Sequence, residues 1–434
     1  MSTEPARAEG NSQGRMASLS GAQVYALLLL MVTYTCHAID RQIVSIVLEP
    51  IKRDLHAPDK LMGFIPLAFS IAFICAVMPI GALIDKVHRV RLLAGLVAAW
   101  SLMTSLPGLA TAYPLLVAAR MGVGVAEAGA QPLSLSLLSD IFPQERRASA
   151  LGIFYLATGI GAIIAFLFGS FIAATFGWRI TFLIGGLPGL VLAPVLIWTL
   201  KEPRRGAMDP ASEPPPAASA SSVREALRFA IHSPPVVGVL LATFLSSFVL
   251  GSFLVWVSSF MMRQYGLPIK VVGAEVALAG GVMPALGAVV FGFCADGLGR
   301  RHSARVGWMC AISAAAMAIS GVLFTLAPTP MLALACLIAF GFSGGGWMAP
   351  SLALLISLTP TRSRGAVLAF SQIFTALGAG LGPFAVGWLS DLLHNLGPAL
   401  SCCAFVCVGA VVLYGVAVTM AQTQRSPRLS TVVS

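Results

Sequence analysis

Uninterrupted apolar runs, each about as long as a lipid bilayer is thick, constrain this chain more than any other feature. A helix needs about 20 apolar residues to cross a ~30 Å hydrocarbon core. Runs of that order, bounded by charge, Pro or Gly, lie near residues 20–48, 61–84, 92–112, 115–139, 148–175, 178–200, 235–262, 270–294, 305–327, 330–357, 365–390 and 398–421. They lack the polar/apolar alternation of an outer-membrane strand. Of the 434 residues 57% are hydrophobic and 10% charged, against about 25% charged in a soluble domain. The reading is an all-α polytopic membrane protein with twelve transmembrane helices, not a barrel. The first run is too long for a signal peptide and no small-residue cleavage site follows it, so it reads as a retained helix.

Orientation follows from Lys and Arg, which concentrate in cytoplasmic loops. Nineteen of the 27 fall in the tails and even-numbered connections, six on the opposite side (Lys52, Arg53, Lys60, Arg179, Arg263 and Lys270), and Arg41 and Arg120 lie inside spans. Both termini are therefore predicted to be cytoplasmic. Attraction to anionic inner-leaflet lipid accounts for the net charge of +10, so membrane lipids are expected as partners and nucleic acid is not. The eight cysteines lie in or beside apolar spans with no C-x-x-C pair. They read as small core residues, with no disulfide framework, metal site or cofactor implied. The Ala/Gly/Leu-heavy composition and the missing N-x-S/T acceptor point to a bacterial inner membrane.

Residues 201–234 interrupt the apolar pattern with EPRRG and DPASEPPPAASASS, a Pro/Ala/Ser composition that behaves as a partly extended linker. The expected organisation is a cytoplasmic tail at 1–19, a six-helix bundle at 20–200, a cytoplasmic linker at 201–234, a second six-helix bundle at 235–421 and a cytoplasmic tail at 422–434. The halves repeat: GALIDKVHR at Gly81–Arg89 matches GFCADGLGR at Gly292–Arg300, which carries Asp85 onto Asp296 and Arg89 onto Arg300 at one offset of 211. Arg147, Thr158 and Gly161 match Arg364, Thr375 and Gly378 at 217. Tandem six-helix halves imply a pseudo-two-fold axis along the membrane normal, a central path and alternating access by rocking.

The repeated G-x-L-x-D-x-x-x-R loop, the twelve spans and the central linker resemble the major facilitator superfamily over roughly residues 20–421. Within it, AIDRQIVSIVLEPIKRDL, GALIDKVHRVRLLAGLVAAWSLMT, LLVAARMGVGVAEAGAQP, SDIFPQERRASALGIFY and GWRITFLIGGLPGL resemble the Spinster-like branch. That resemblance implies a transporter of a lysophospholipid-like or sphingoid-phosphate-like substrate; a monomer is expected. It links the Asp-Arg pair of the first helix and the Glu of the fourth with proton coupling, which by match are Asp40, Arg41 and Glu127. It also assigns Asp85 and Arg89, with Asp296 and Arg300 in the pseudo-symmetric position, to a gating latch.

The residues themselves carry part of this. A charge at mid-bilayer costs at least ~2.5–3.5 kcal/mol on insertion scales, so an intramembrane ionisable group is a functional candidate. The first span holds His37, Asp40 and Arg41; the fourth holds Arg120 and Glu127. On a helix the adjacent Asp40 and Arg41 diverge by about 100°, whereas Arg120 and Glu127, two turns apart, share a face. Asp40 and Arg41 need not pair with each other; the resemblance, in which the first and fourth helices both line the central path, implies that Arg41 or Arg120 meets Glu127 across it. Burial disfavours a charged carboxylate and a guanidinium favours it, so Glu127 is poised to exchange a proton. A permanent ion pair joining two helices is the competing reading. At the repeat offset Glu127 falls on Gly345 and Arg120 on Ile338, so coupling chemistry is expected in the first half only. His37 is a candidate proton group or a packing residue, and Glu275 reads as an interfacial cap before a relay.

Phe244, Phe248, Ser252, Trp256 and Phe260 recur at fours and form either a substrate wall suited to an amphiphile, centred on Phe248, Ser252 and Trp256, or ordinary helix packing. A small organic acid or a hydrophobic drug would also suit the charged pocket. The sequence lacks a phosphate-cradling G-x-x-x-x-G-K-S/T, and isolated titratable groups favour protons over sodium, which wants several oxygens. The distant enzymatic alternative is an intramembrane serine protease using Ser343 in Gly341-Phe342-Ser343-Gly344, which would need a His in reach.

Overall fold

The computed structural model describes residues 20–84, 86–208, 220–299 and 305–423, and no strand occurs among them. Sixteen α-helices follow in chain order. In the first half they are α1 Gly21–Asp54, α2 Asp59–Ile84, α3 Arg89–Ser105, α4 Tyr113–Glu127, α5 Ala130–Ile141, α6 Gln144–Ile164 and α7 Ser170–Thr199. A short α8, Ala220–His232, precedes the second half, which holds α9 Pro234–Tyr265, α10 Ile269–Ala277, α11 Met283–Gly299, α12 Val306–Leu326, α13 Pro330–Gly344, α14 Met348–Leu358, α15 Arg364–Leu393 and α16 Leu396–Thr423.

Ten helical stretches are long and apolar enough to cross a membrane, and the physics of the remainder gives twelve crossings. The stretch Gln144–Thr199 has 56 residues, which as one straight helix would run about 84 Å, far more than a bilayer core. It folds back at Gly177, whose φ of 84° suits a residue without a Cβ. The fourth crossing, α4 with α5, is broken at Ala128 and Gly129 and carries Arg120 and Glu127, so it is not one continuous apolar helix. The start of α1, the ends of α2 and α5 and the end of α16 lie on one face, here the terminal face; the turns after α1, α9 and α15 lie on the far face.

Local signals start and stop these helices. Ser20 and Gln23 form a reciprocal capping box at the start of α1. Pro114, Pro234 and Pro330 occupy first-turn positions where their missing N–H is harmless. Gly266, with a φ of 64°, terminates α9. The two halves meet where side chains vanish. A Cβ at Gly63 of α2 would overlap the Pro383 carbonyl of α15, and Gly387 lies over the Asp59 backbone. Gly273 of α10 sits on Ser170 and the Phe166 carbonyl. That contact lies beside a π-helical turn at Ala165–Gly169; a second such turn, Leu278–Val282, packs on α6.

The stretch expected to be linker is structured at both ends. Residues 201–206 bond to the first half through Glu202, Arg205 and Gly206. Helix α8 packs against α9 and α15, with Ala230 buried and Leu227 and Ile231 exposed.

Candidate functional site

Helices α1, α3 and α4 bring two ion pairs together inside the first half. Asp40 receives Arg120 Nη1 at 2.7 Å through Oδ1 and a short hydrogen bond from the Thr104 hydroxyl through Oδ2. Glu127 receives Arg41 Nε at 3.0 Å through Oε2, with His37 Nδ1 3.2 Å from the same oxygen. The spacing explains the partition. His37 and Arg41 lie one turn apart on α1 and face one level of α4, while Asp40 points about 100° away from Arg41, toward Arg120.

The two pairs differ in what surrounds them. Both oxygens of Asp40 are satisfied, and Asp40 and Arg120 are buried at 2% and 5% exposure. Glu127 is 1% exposed, yet its Oε1 has no hydrogen-bond partner among the described residues. Arg41, by contrast, has 41% of its side chain exposed and lies over the rings of Phe69 and Phe73, 5.0 and 5.4 Å from their centroids. Tyr34 stacks on His37 at 4.8 Å. Thus one pair is sealed, whereas the other joins a half-open guanidinium to a carboxylate with one idle oxygen.

All five residues expected at this site, His37, Asp40, Arg41, Arg120 and Glu127, are adjacent. Thr104, Phe69, Phe73 and Tyr34 were not among the sequence candidates. A Thr in an apolar helix carries no distinguishing pattern; the i, i+4 repeat of Phe69 and Phe73 is a signal, though one that most membrane helices share.

Other expectations are redistributed. Trp256 is fully buried and donates its indole N–H to the Pro383 carbonyl at 2.9 Å, while Ser252 bonds back to the Phe248 carbonyl of its own helix. Phe248 is half-buried beside Phe244. These three residues belong to the α9–α15 packing, the second of the two readings of that stripe. Glu275 is the seventh residue of α10 and caps no helix start; its Oε2 lacks a partner among the described residues. The Ser343 hydroxyl donates to the Ala339 and Phe340 carbonyls of its own helix, and His394 lies just past the far-face end of α15. Among the described residues no base is placed for a serine nucleophile.

Asp85, Arg300 and the Asp296 side chain lie outside the described residues. Arg89, expected to pair with Asp85, is 1% exposed and bonds to Asp140 at 2.5 Å, Ser136 Oγ at 2.8 Å, Glu202 at 2.7 Å and the Pro203 carbonyl at 2.9 Å. Glu202 also accepts the Val90 N–H at 2.9 Å. Burial pushes the Glu202 carboxyl up, but its bonds to Arg89 and Val90 outweigh that and hold it below its ordinary range. Among the described residues every one of these contacts lies in the first half or the segment that leaves it, so there Arg89 staples one half together.

The bridge between halves is on the far face, and sequence reading missed it. Arg263 of α9 makes a two-pronged contact with Asp59 of α2 at 2.7 and 2.8 Å and also reaches Glu49 of α1 at 2.8 Å. Ser390 donates to Asp59 at 2.7 Å, and Asp391 accepts the Asp59 and Lys60 N–H groups at 2.9 Å each. Individually these are loop-end charges on different helices, which nothing in local pattern connects.

Two packed helical halves with charged groups buried on the first and fourth crossings define a membrane transporter, not an enzyme. The chain belongs to the Major Facilitator Superfamily, which it matches over residues 30–383 and 275–430, and within it resembles the Spinster-like branch. It is 29% identical over 396 residues to an MFS-type efflux pump of Mycolicibacterium smegmatis, covering 90% of each chain. It is 28% identical over 463 residues to protein spinster homolog 1 of Homo sapiens, covering 98% of this chain and 84% of that one. Among solved structures it superposes with a TM-score of 0.80 on a bacterial homolog to the human lysosomal transporter Spinster, in its inward-facing and unoccupied conformation, at 24% identity and 93% and 96% coverage.

Proposed function

We propose that this chain is a proton-coupled secondary transporter of an amphiphile with an anionic or zwitterionic head, resembling a lysophospholipid or sphingoid phosphate, working by alternating access as a monomer in a bacterial inner membrane. One observation carries the coupling: Glu127 holds Arg41 through Oε2 while Oε1 has no partner among the described residues. A proton can therefore add at Oε1 without first displacing Arg41. Neutralising the carboxyl then weakens the charge-assisted bond and frees a guanidinium that is already half-open. Asp40, saturated by Arg120 and Thr104, is the fixed scaffold of the pair.

The distribution of Lys and Arg supports placing the terminal face in the cytoplasm. In that orientation the Arg263 bridge closes the periplasmic side, and the chain is inward-facing, the conformation named for its structural neighbour. Substrate meeting Arg41 from the cytoplasm would compete with Glu127 for the guanidinium, so proton uptake at Glu127 and anion binding at Arg41 favour one another.

The test is a trapped pH-sensitive dye in proteoliposomes of the wild-type protein, given a lysophospholipid, with a small organic acid as comparison. A lipid-dependent proton flux abolished by Glu127→Gln is expected. Unchanged rate, pH dependence and proton flux in Glu127→Gln would sink the coupling role, and flux with the organic acid alone would reassign the substrate. Efflux of hydrophobic drugs is the second reading, favoured by the likeness to the mycobacterial pump; drug-dependent flux with none for lipid would support it.

A further inference from the structure

The far face carries a cavity of about 630 Å³ whose walls come from both halves: Lys52, Asp59 and Lys60 from the first, and Arg263, Asp391 and His394 from the second. That volume lies within the range of small-molecule sites. The cavity belongs neither to the Glu127 site nor to the Arg89 staple.

Its cations are unequally engaged. The Asp59 carboxylate is already used by Arg263, by Lys52 at 2.7 Å and by Ser390 at 2.7 Å. Asp391 is used by two backbone N–H groups. The Lys60 ammonium is exposed and has no carboxylate partner among the described residues. Lys52 and Arg263 are thus engaged by Asp59, and Arg263 also by Glu49 just behind the lining, so Lys60 is the cation of the cavity left without a carboxylate among the described residues. Asn395 accepts the Gly397 N–H through Oδ1 at 3.0 Å, leaving its amide NH2 as a further donor. Phe260, Leu396 and Pro58 add an apolar patch at the wall.

We propose that this far-face cavity is a second binding site, for the phosphate or carboxylate head of an amphiphile, in which the anion rests on Lys60 and competes with Asp59 for Lys52 and Arg263. The ligand class rests on the amphiphilic-anion reading above; the site itself rests on the cavity and its charges. The consequence is mechanical. Asp59 with Arg263 joins the two halves, so an anion that draws Arg263 away favours the state open on this face, by its greater affinity for it. An anion arriving at, or leaving from, the far face therefore acts on the bridge that it must open.

Lysine labelling of the full-length protein in dodecyl maltoside tests this, using a water-soluble amine-reactive ester and mass spectrometry of individual lysines. Lys270, on the same face and outside the cavity lining, is the internal reference. Dodecyl phosphate should slow labelling of Lys60 about fivefold or more, leave Lys270 within about twofold, and do so equally in Glu127→Gln. Equal protection by inorganic phosphate upholds the anion site and assigns it to free phosphate; protection by dodecyl phosphate alone assigns it to a headgroup with its chain. Unchanged Lys60 labelling with both anions overturns the proposal. So does equal protection by dodecyltrimethylammonium, or protection lost in Glu127→Gln, which would place the ligand at the central site. Because labelling needs no proton flux, its failure and the failure of the transport reading are separate results.

Discussion

Asp40 and Glu127 are 2% and 1% exposed, yet their neighbours assign them different chemistry. Asp40 spends both oxygens on Arg120 and Thr104, so removing either partner leaves a buried charge uncompensated. Arg120→Ala should destabilise the protein by about 3–5 kcal/mol, the cost of breaking a buried pair. Thr104→Val should cost about 1–3 kcal/mol, the range for one lost buried hydrogen bond. Thermal unfolding in detergent measures both, and an unchanged midpoint for Arg120→Ala would show that Asp40 is neutral in the fold. At this scale the sequence is legible where a residue is improbable: a charge inside an apolar run identifies itself. Thr104 and Phe69 are ordinary in a membrane helix and become informative only when Asp40 and Arg41 are placed beside them.

The fourth crossing of each half is interrupted at the same place. Helix α4 ends at Glu127 and α5 begins at Ala130; α13 ends at Gly344 and α14 begins at Met348. Position 345, the counterpart of 127 in the repeat, is the glycine Gly345, packed against the Pro284 carbonyl. The same break serves close backbone packing in one half and presents a carboxylate in the other. The second element-scale result is the segment after α7. Glu202 titrates below its ordinary range in the fold, so its contribution to stability is full above the unfolded-state value, about 4.3, and is lost as pH falls through the lower folded value. Glu202→Gln should therefore unfold at lower temperature than wild type at pH 7. The gap should narrow as the solution is acidified below pH ~4. A gap that persisted unchanged in acid would contradict this.

The molecule as a whole is held at the far face by a charge bridge and by glycine contacts between α2 and α15. Two variants separate these. Arg263→Gln removes the bidentate bond to Asp59 and the bond to Glu49 together, and should shift the population toward far-face opening. Gly63→Leu forces α2 off the Pro383 carbonyl and should do the same by steric means. Spin labels at Leu55 and Asn395, with the eight native cysteines replaced by alanine, report the separation of the halves; both variants should add or enlarge a longer-distance population. A distance distribution identical to wild type in Arg263→Gln would show that packing alone keeps this face closed.

What the sequence determined by itself is what local composition can encode. Apolar run length sets helices and crossings, because lipid leaves backbone groups no partner but the helix. The repeat announces two similar halves, and buried charge marks the first and fourth crossings as the candidate site. The tertiary structure decided the rest. It settled which guanidinium meets which carboxylate, since helical divergence makes Asp40 and Arg41 face different neighbours. It placed Arg89 against Asp140, Ser136 and Glu202, and it assembled the Arg263 bridge from charges about 200 residues apart in the chain. Pairings of that kind depend on how helices are stacked, and a stretch of sequence reports its own helix without reporting the one that will lie against it.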